Sequence, residues 1–333
     1  MVISKQRRFL ILGALSLAAL SSWAGRRLWS TTAELRSPSS KQPPLAAKRA
    51  ERLPEVSTLY EHGSSAYHAR LFADEDGVVL LRQTGFVTFR AGKAPEEHAI
   101  SLGPVAVRRG GSLVFWRAGR LREISLSGED ERDLAALPRP PQHLLASEGQ
   151  LAWIQMDPQT GASLQTLSAG DVHVVYDSED SVAAAVMRRT VIFWVLRSRD
   201  GSWKIGRVDL DGQHQMTLAH HGRPPAMLAL GPDGVYFYDG PERGVRKLTF
   251  DLGREDAVSS HVICSPLVVS SRVVCAHVGG LFDIPGSGTA PRFLASERAG
   301  PITAMAATDD RAFWVAENGN DQLIVRSVTL AGF

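Results

Sequence analysis

Seven short, continuous apolar runs punctuate the chain. They begin at Val78, Leu113, Leu151, Val191, Val235, Val273 and Ala312, and they read VVLL, LVFW, LAWI, VIFW, VYFY, VVCA and AFWV. Successive starts lie 35, 38, 40, 44, 38 and 39 residues apart, a mean of 39. A period in the range of about 20–50 residues marks a repeat architecture and outranks any local reading. A turn signal precedes each run, as at Asp76-Gly77, Gly110-Gly111, Glu148-Gly149, Pro232-Asp233-Gly234, Ser270-Ser271 and Asp309-Asp310. Pro fixes φ, Gly permits φ > 0 and Asp bonds its own backbone, so such pairs reverse the chain. After each run comes a second turn and an alternating segment. Examples are GFVTFRA from Gly85, GRLREISL from Gly119, WKIGRVDL from Trp203, GVRKLTFD from Gly244 and QLIVRSVT from Gln322. Alternation rich in β-branched and aromatic residues marks a half-buried strand. A shorter, more polar strand follows, as at Met216-Thr217-Leu218 and Arg292-Phe293-Leu294.

Four strands per unit of about forty residues predict an all-β chain built as a β-propeller. Seven blades are expected, with six and eight as the alternatives. The continuous runs are expected to be the second strand of each blade, buried on both faces. The outer strand, as a sheet edge, tolerates polar residues. The last unit ends one strand short, at QLIVRSVTLAGF. The segment STLYEHGSSAYHARLFADEDG from Ser57 reads like MTLAHHGRPPAMLALGPDG from Met216, an outer strand leading into the next blade. Residues 57–61 are therefore expected to complete the last blade and close the ring. That predicts pairing between residues 56–61 and 323–330.

The fourth unit carries the most specific wording: VIFWVLRSRDGSWKIGRVDLDGQHQMTLA from Val191. It resembles the repeat of the TolB-type, WD40-like bacterial propellers. That repeat has an apolar strand, S-x-R-D-G, a strand, D-x-D-G and a closing L-T. The matching residues are Ser198, Arg199, Asp200, Gly201, Asp209, Asp211 and Gly212, with Thr217-Leu218 in place of Leu-Thr. The following LGPDG at 230–234 resembles the S-P-D-G that opens the next such blade. The match extends over about one and a half blades. ISLSG at Ile124 occupies the D-x-D-G place without either acid. The resemblance implies a propeller whose familiar use is protein binding or scaffolding. The partners of TolB do not carry over, because seven units are counted here against its six and no extra N-terminal domain is visible. From the residues themselves, Asp200-Gly201 and Asp211-Gly212 read as hairpin turns, with Arg199 placed to pair with a nearby acid.

The N-terminus changes where such a ring would work. Lys5, Arg7 and Arg8 precede the apolar stretch FLILGALSLAALSSWA at 9–24, which fits an export signal. Sixteen residues is short of the roughly 20 a spanning helix needs. Yet Arg26, Arg27 and Trp29 would also suit a retained anchor. Cleaved signal and signal anchor both stay open for residues 1–29, as do an ordinary basic leader and a twin-arginine one. Residues 30–54 are rich in Pro, Ser and charge and read as a linker; residues 55–333 are the propeller. Residues 1–52 hold ten Lys+Arg and two Asp+Glu, and the remainder holds 27 and 33. The small overall charge of +2 thus hides a basic leader and a mildly acidic ring. An acidic ring argues against nucleic-acid binding, which needs a basic patch.

Candidate chemistry is sparse. Cys264 and Cys275 flank the turn at Ser270-Ser271 and form a candidate disulfide across one hairpin, with two buried free thiols as the alternative. His220-His221 read as a surface loop, since adjacent strand residues point to opposite faces. The acidic turn Asp74-Glu75-Asp76-Gly77 lacks the spacing and closing Glu of a calcium loop. Asp177-Ser178-Glu179-Asp180 reads as a solvated loop. Trp116, Trp153, Trp194, Tyr236, Tyr238, Phe313 and Trp314 sit within the repeated strands and are expected to pack between blades. No zincin, nucleophile-elbow or P-loop motif occurs, so no catalytic residue, cofactor or metal ligand is assigned. The expectation is a monomeric, non-enzymatic scaffold of the cell envelope that binds a protein or peptide, with residues 9–24 as its contact with membrane. A lyase or hydrolase with a site in the central channel is one alternative, and a ligand or sugar sensor is another. Clustered Arg, His and Glu at one channel mouth would favour the enzyme.

Overall fold

Every apolar run forms the second strand of a four-stranded antiparallel sheet. The computed structural model describes residues 55–63, 69–103, 105–213, 216–220, 223–260, 263–277, 279–285, 289–318, 320 and 322–330. The leader, the linker and His221 lie outside them. Strand β1 (Val56–His62) comes first. The first blade is β2 (Arg70–Asp74), β3 (Gly77–Arg82), β4 (Gly85–Phe89) and β5 (Glu96–His98). The second is β6 (Ala106–Arg109), β7 (Ser112–Arg117), β8 (Arg120–Ser125) and β9 (Arg132–Ala136). The third is β10 (His143–Ser147), β11 (Gln150–Asp157), β12 (Gly161–Ser168) and β13 (Asp171–Ser178). The fourth is β14 (Ser181–Arg188), β15 (Val191–Arg197), β16 (Trp203–Asp209) and β17 (Met216–His220). The fifth is β18 (Leu228–Leu230), β19 (Val235–Tyr238), β20 (Val245–Leu248) and β21 (Glu255–Ser259). The sixth is β22 (Leu267–Val269), β23 (Val273–His277), β24 (Gly280–Ile284) and β25 (Arg292–Ser296). The seventh takes β26 (Ile302–Ala307), β27 (Arg311–Glu317) and β28 (Leu323–Thr329) from the C-terminus and β1 from the N-terminus, in the order β1-β28-β27-β26. The protein is a seven-bladed β-propeller whose ring closes on its own first strand.

The closing strand sits where the sequence places it. Val56 faces Val328, Ser57 faces Ser327 and Thr58 faces Arg326; after a bulge, Tyr60 faces Val325 and His62 faces Leu323. By pairing with β28, β1 covers what would otherwise be the exposed outer edge of a three-stranded blade.

The reason the second strands read as unbroken apolar runs is visible in the packing. The core is divided among seven seams, one between each pair of neighbouring blades, and each second strand feeds two of them alternately. Val78 and Leu80 pack toward the seventh blade, while Val79 and Leu81 pack toward the second. Leu113 and Phe115 face the first blade, Val114 and Trp116 the third. Ile192, Trp194 and Leu196 face one neighbour, Phe193 and Val195 the other. Successive strand residues point to opposite faces, so a strand sandwiched between two blades has no polar side. The repeated aromatics accordingly lie in the seams, with Trp153 and Trp314 fully buried.

Two features depart from the expected pattern. Strand β13 is an edge strand, yet Val172 and Val174 stand exposed on it. Cys264 and Cys275 are joined, with their Cα atoms 5.3 Å apart, but not across a ladder. Cys275 pairs with Leu267 in β23, and Cys264 lies in the connection ahead of β22. The Ser265 N–H donates to Ala276 O at 3.0 Å and brings that connection alongside. Both sulfurs are buried in the seam between the fifth and sixth blades.

Candidate functional site

The antiparallel order inside each blade creates two unlike ends. Turns from first to second strand and from third to fourth gather on one end, here the turn face. Second-to-third turns and the blade-to-blade connections gather on the other, here the link face. The first strands of all seven blades line a central channel of about 770 Å³. Its wall is mostly small or aliphatic, including Ala73, Ala146, Ala185, Ala229 and Ala306.

Charged residues do ring the turn-face mouth, but they bond blade to blade. Arg108 reaches back from the second blade to Asp74 at 2.6 Å and to Gly77 O at 3.0 Å. Arg109 reaches forward to Gly149 O in the third blade at 2.6 Å. Arg189 of the fourth blade bonds Glu148 at 3.2 Å, and its N–H donates to Ser147 Oγ at 2.8 Å. Farther from the channel on the same face, Arg207 donates to Phe250 O of the fifth blade at 3.1 Å, and the Ser271 N–H of the sixth donates to Asp309 of the seventh at 3.0 Å. Hydrogen bonds to charged groups are stronger than neutral ones, so this belt fixes the spacing of the blades at the mouth.

The link face is different. Between the first two blades it opens a pocket of about 530 Å³ lined by Arg70, Leu81, Arg82, Gln83, Ser101, Leu102, Gly103 and Ala106. The rim bends at Gly103, where φ is +73° and an added Cβ would meet Trp116 O at 2.3 Å. Arg82 is held from two sides. Its Nη1 donates to Tyr60 Oη at 2.8 Å and its Nη2 to Glu97 at 2.9 Å, while Tyr60 Oη donates to Glu97 at 2.7 Å. Burial, then the bond to Glu97, push the Tyr60 hydroxyl up to about 12. The Tyr60 hydroxyl, ahead of Arg82, holds Glu97 below the usual carboxylate range. Tyr60 belongs to the closing strand, so ring closure also orients one wall of the pocket.

Arg70 borders both pocket and channel. Among the described residues its one polar contact is a long 3.4 Å bond to Ala106 O, and no carboxylate lies within salt-bridge distance. By surface area it is exposed, yet desolvation pulls its guanidinium below the ordinary value. The two fit together because it faces a walled channel and not open solvent. It remains charged at any physiological pH. His143 opens β10 nearby, with its Nε2 buried and unpartnered among the described residues. Burial lowers its pKa, the Val182 carbonyl opposes that, and the Arg70 charge lowers it further. Folded His143 therefore binds fewer protons than unfolded His143 below about pH 6.5, and this group makes the protein less stable as pH falls through that window. His143→Gln is expected to flatten the fall in urea midpoint between about pH 6.5 and 5. An unchanged slope would contradict this reading.

The residues that carry the TolB-type resemblance do not form one site. Asp200 Oδ1 accepts from Ser202 N at 2.9 Å and Gly201 has φ +86°, making a hairpin turn on the link face. Arg199 is exposed, with no ion pair among the described residues. Asp209 pairs with Arg207 at 3.4 Å, Asp211 caps Gln213 N at 2.9 Å and Gly212 has φ +80°, all on the turn face. Arg70, Arg82 and His143 carry no sequence signal, because their significance lies in which neighbours the ring brings to them. Among the described residues no three His, Cys, Asp or Glu side chains converge for a metal, and no helix is long and apolar enough to cross a membrane.

No family model matches the sequence, and no curated protein matches it detectably. Solved structures do. The AfRom2 CNH domain superposes with a TM-score of 0.54 at 7% identity, covering 82% of this chain and 99% of that one. A chain of the mitotic checkpoint complex superposes with a TM-score of 0.59 at 12% identity, covering 87% and 98%. At such identities the likeness is one of fold.

Proposed function

We propose that this chain is an exported or membrane-anchored bacterial propeller, related to the TolB type, that acts as a non-enzymatic scaffold for a protein or peptide of the cell envelope. The observation that carries the reading is how the charged mouth is used. Arg and Glu gather at the turn-face mouth, as a channel enzyme would need. Each, however, is engaged in a blade-to-blade bond, and the channel behind them is walled by alanine and aliphatic groups. Groups bonded in this way hold the frame, and a rigid frame lowers the ordering cost of binding. One neighbour of the same fold is a chain of a multiprotein complex, which is a use of this architecture in keeping with the proposal. The basic, apolar leader supports delivery to the envelope.

The test is affinity capture from envelope extracts with the full chain as bait. A defined partner recovered in stoichiometric amount, and displaced by excess untagged chain, is the expected result. Recovery of no partner, together with turnover of a screened substrate, would overturn the proposal in favour of a channel enzyme.

A further inference from the structure

The link-face pocket between the first two blades has a composition that selects among ligands. Its floor is apolar, formed by Leu81, Leu102 and Ala106. Its wall carries one guanidinium, Arg70, with no carboxylate partner among the described residues. The second guanidinium, Arg82, has 7% side-chain exposure and is already balanced by Glu97, although its Nε finds no acceptor among the described residues. Gln83 and Ser101 stand exposed at the rim and can bond a peptide backbone. The local excess is therefore one positive charge beside an apolar floor.

An unpaired guanidinium is a fork of donors suited to a carboxylate. The volume of about 530 Å³ falls within the ordinary range for a small-ligand site, roughly 300–1,000 Å³, and accommodates the last few residues of a chain. A single cation does not suit a polyanion, and the ring carries 33 acidic against 27 basic residues beyond position 52. A carboxylate directly joined to an apolar group is what a chain ending in an apolar residue presents. We infer that this pocket binds the free C-terminal carboxylate of an extended peptide, with Arg70 as its anchor and the last side chain on the Leu81–Leu102–Ala106 floor. The inference rests on the scaffold reading and names the segment of partner that the ring would hold.

The experiment is fluorescence anisotropy with the full chain and short labelled peptides ending in Ala, Leu or Phe. Each peptide is prepared as the free acid and as the C-terminal amide, and an amidated peptide with an internal Glu is the third arm. The free acids are expected to bind at least tenfold more tightly than the amides. Arg70→Gln should erase that difference, and Arg139→Gln, a distant surface pair with Asp157, should leave it intact. Ser101→Glu adds an acid at the exposed rim of the same pocket and cancels its excess of one positive charge. It should mimic Arg70→Gln and so serves if Arg70→Gln does not fold. Equal binding of acids and amides, undiminished binding by Arg70→Gln or Ser101→Glu, or no binding of any acid would overturn the inference. So would equally tight binding of the internal-Glu peptide. If the inference fails while the ring still captures a partner, the scaffold reading survives. If the acids do not bind, no partner is captured and a screened substrate is turned over, both fall.

Discussion

Removal of residues 55–62 is expected to abolish the native ring. Those residues form β1, which supplies six paired positions along β28. At a net ~1 kcal/mol for each hydrogen bond, their loss alone is worth several kcal/mol. Leu59 and Tyr60 also pack on the seam between the seventh and first blades. Tyr60 further ties β28's neighbour strand to the first blade through Arg82 and Glu97. A domain is stable by only about 5–15 kcal/mol in total, and the deletion also exposes β28 as a fresh sheet edge. Urea unfolding followed by tryptophan fluorescence should show either no cooperative transition or one shifted to a far lower midpoint. A synthetic peptide of residues 55–62, added at high concentration, should restore part of the loss. A wild-type midpoint after deletion would mean that the ring does not depend on this closure.

The second large effect belongs to Glu297, in the connection leaving the sixth blade. Its side chain is fully buried. One carboxylate oxygen accepts from Trp314 Nε1 at 2.6 Å, the other from Ala299 N at 2.7 Å, and Arg326 Nη1 lies 3.0 and 3.2 Å away. This group therefore joins the connection to β27 and β28 of the closing blade. Glu297→Ala leaves a buried indole N–H without an acceptor and a mostly buried guanidinium without its anion. Removing one partner of a buried pair costs about 3–5 kcal/mol. Glu297→Gln keeps an acceptor for Trp314 but loses the charge opposite Arg326, so it should fall between Ala and wild type. Arg189→Ala, which breaks a pair with Glu148 exposed on both sides, should cost within about 1 kcal/mol. If Glu297→Ala cost no more than Arg189→Ala, the network would not be contributing to stability.

How much of this was legible in the chain follows from where each signal resides. A strand squeezed between two blades buries both faces, so Val78–Leu81 and its six counterparts read as unbroken apolar runs and reveal period, strand rank and blade count. The closing strand was legible because residues 57–61 repeat the context of an outer strand while the last unit lacks one. The cysteines were legible as a neighbouring pair, but their positions were not. Cys264 precedes β22, and no hairpin register predicts where a connection will cross. The polar edge rule failed at β13, where exposure of Val172 and Val174 obeys no periodicity that burial would impose. The site was not legible at all. Arg70 and Arg82 are two of many arginines in the sequence. What distinguishes them is that one lacks an acid among the described residues and the other shares Tyr60 and Glu97, and those facts depend on blades brought together by ring closure.

The account centres on a ring closed by its N-terminal strand, because that closure both completes the last blade and orients the pocket wall through Tyr60 and Arg82. Native-state hydrogen exchange on the intact chain tests it most directly. Hydrogen-bonded amides of β1 and β28 should exchange only through global unfolding, with the same free energy and denaturant dependence as the buried second strands. Exchange of β1 amides by local opening, several kcal/mol easier than that of β15 or β27, would show that the strand frays from a ring that stands without it, and would contradict the account.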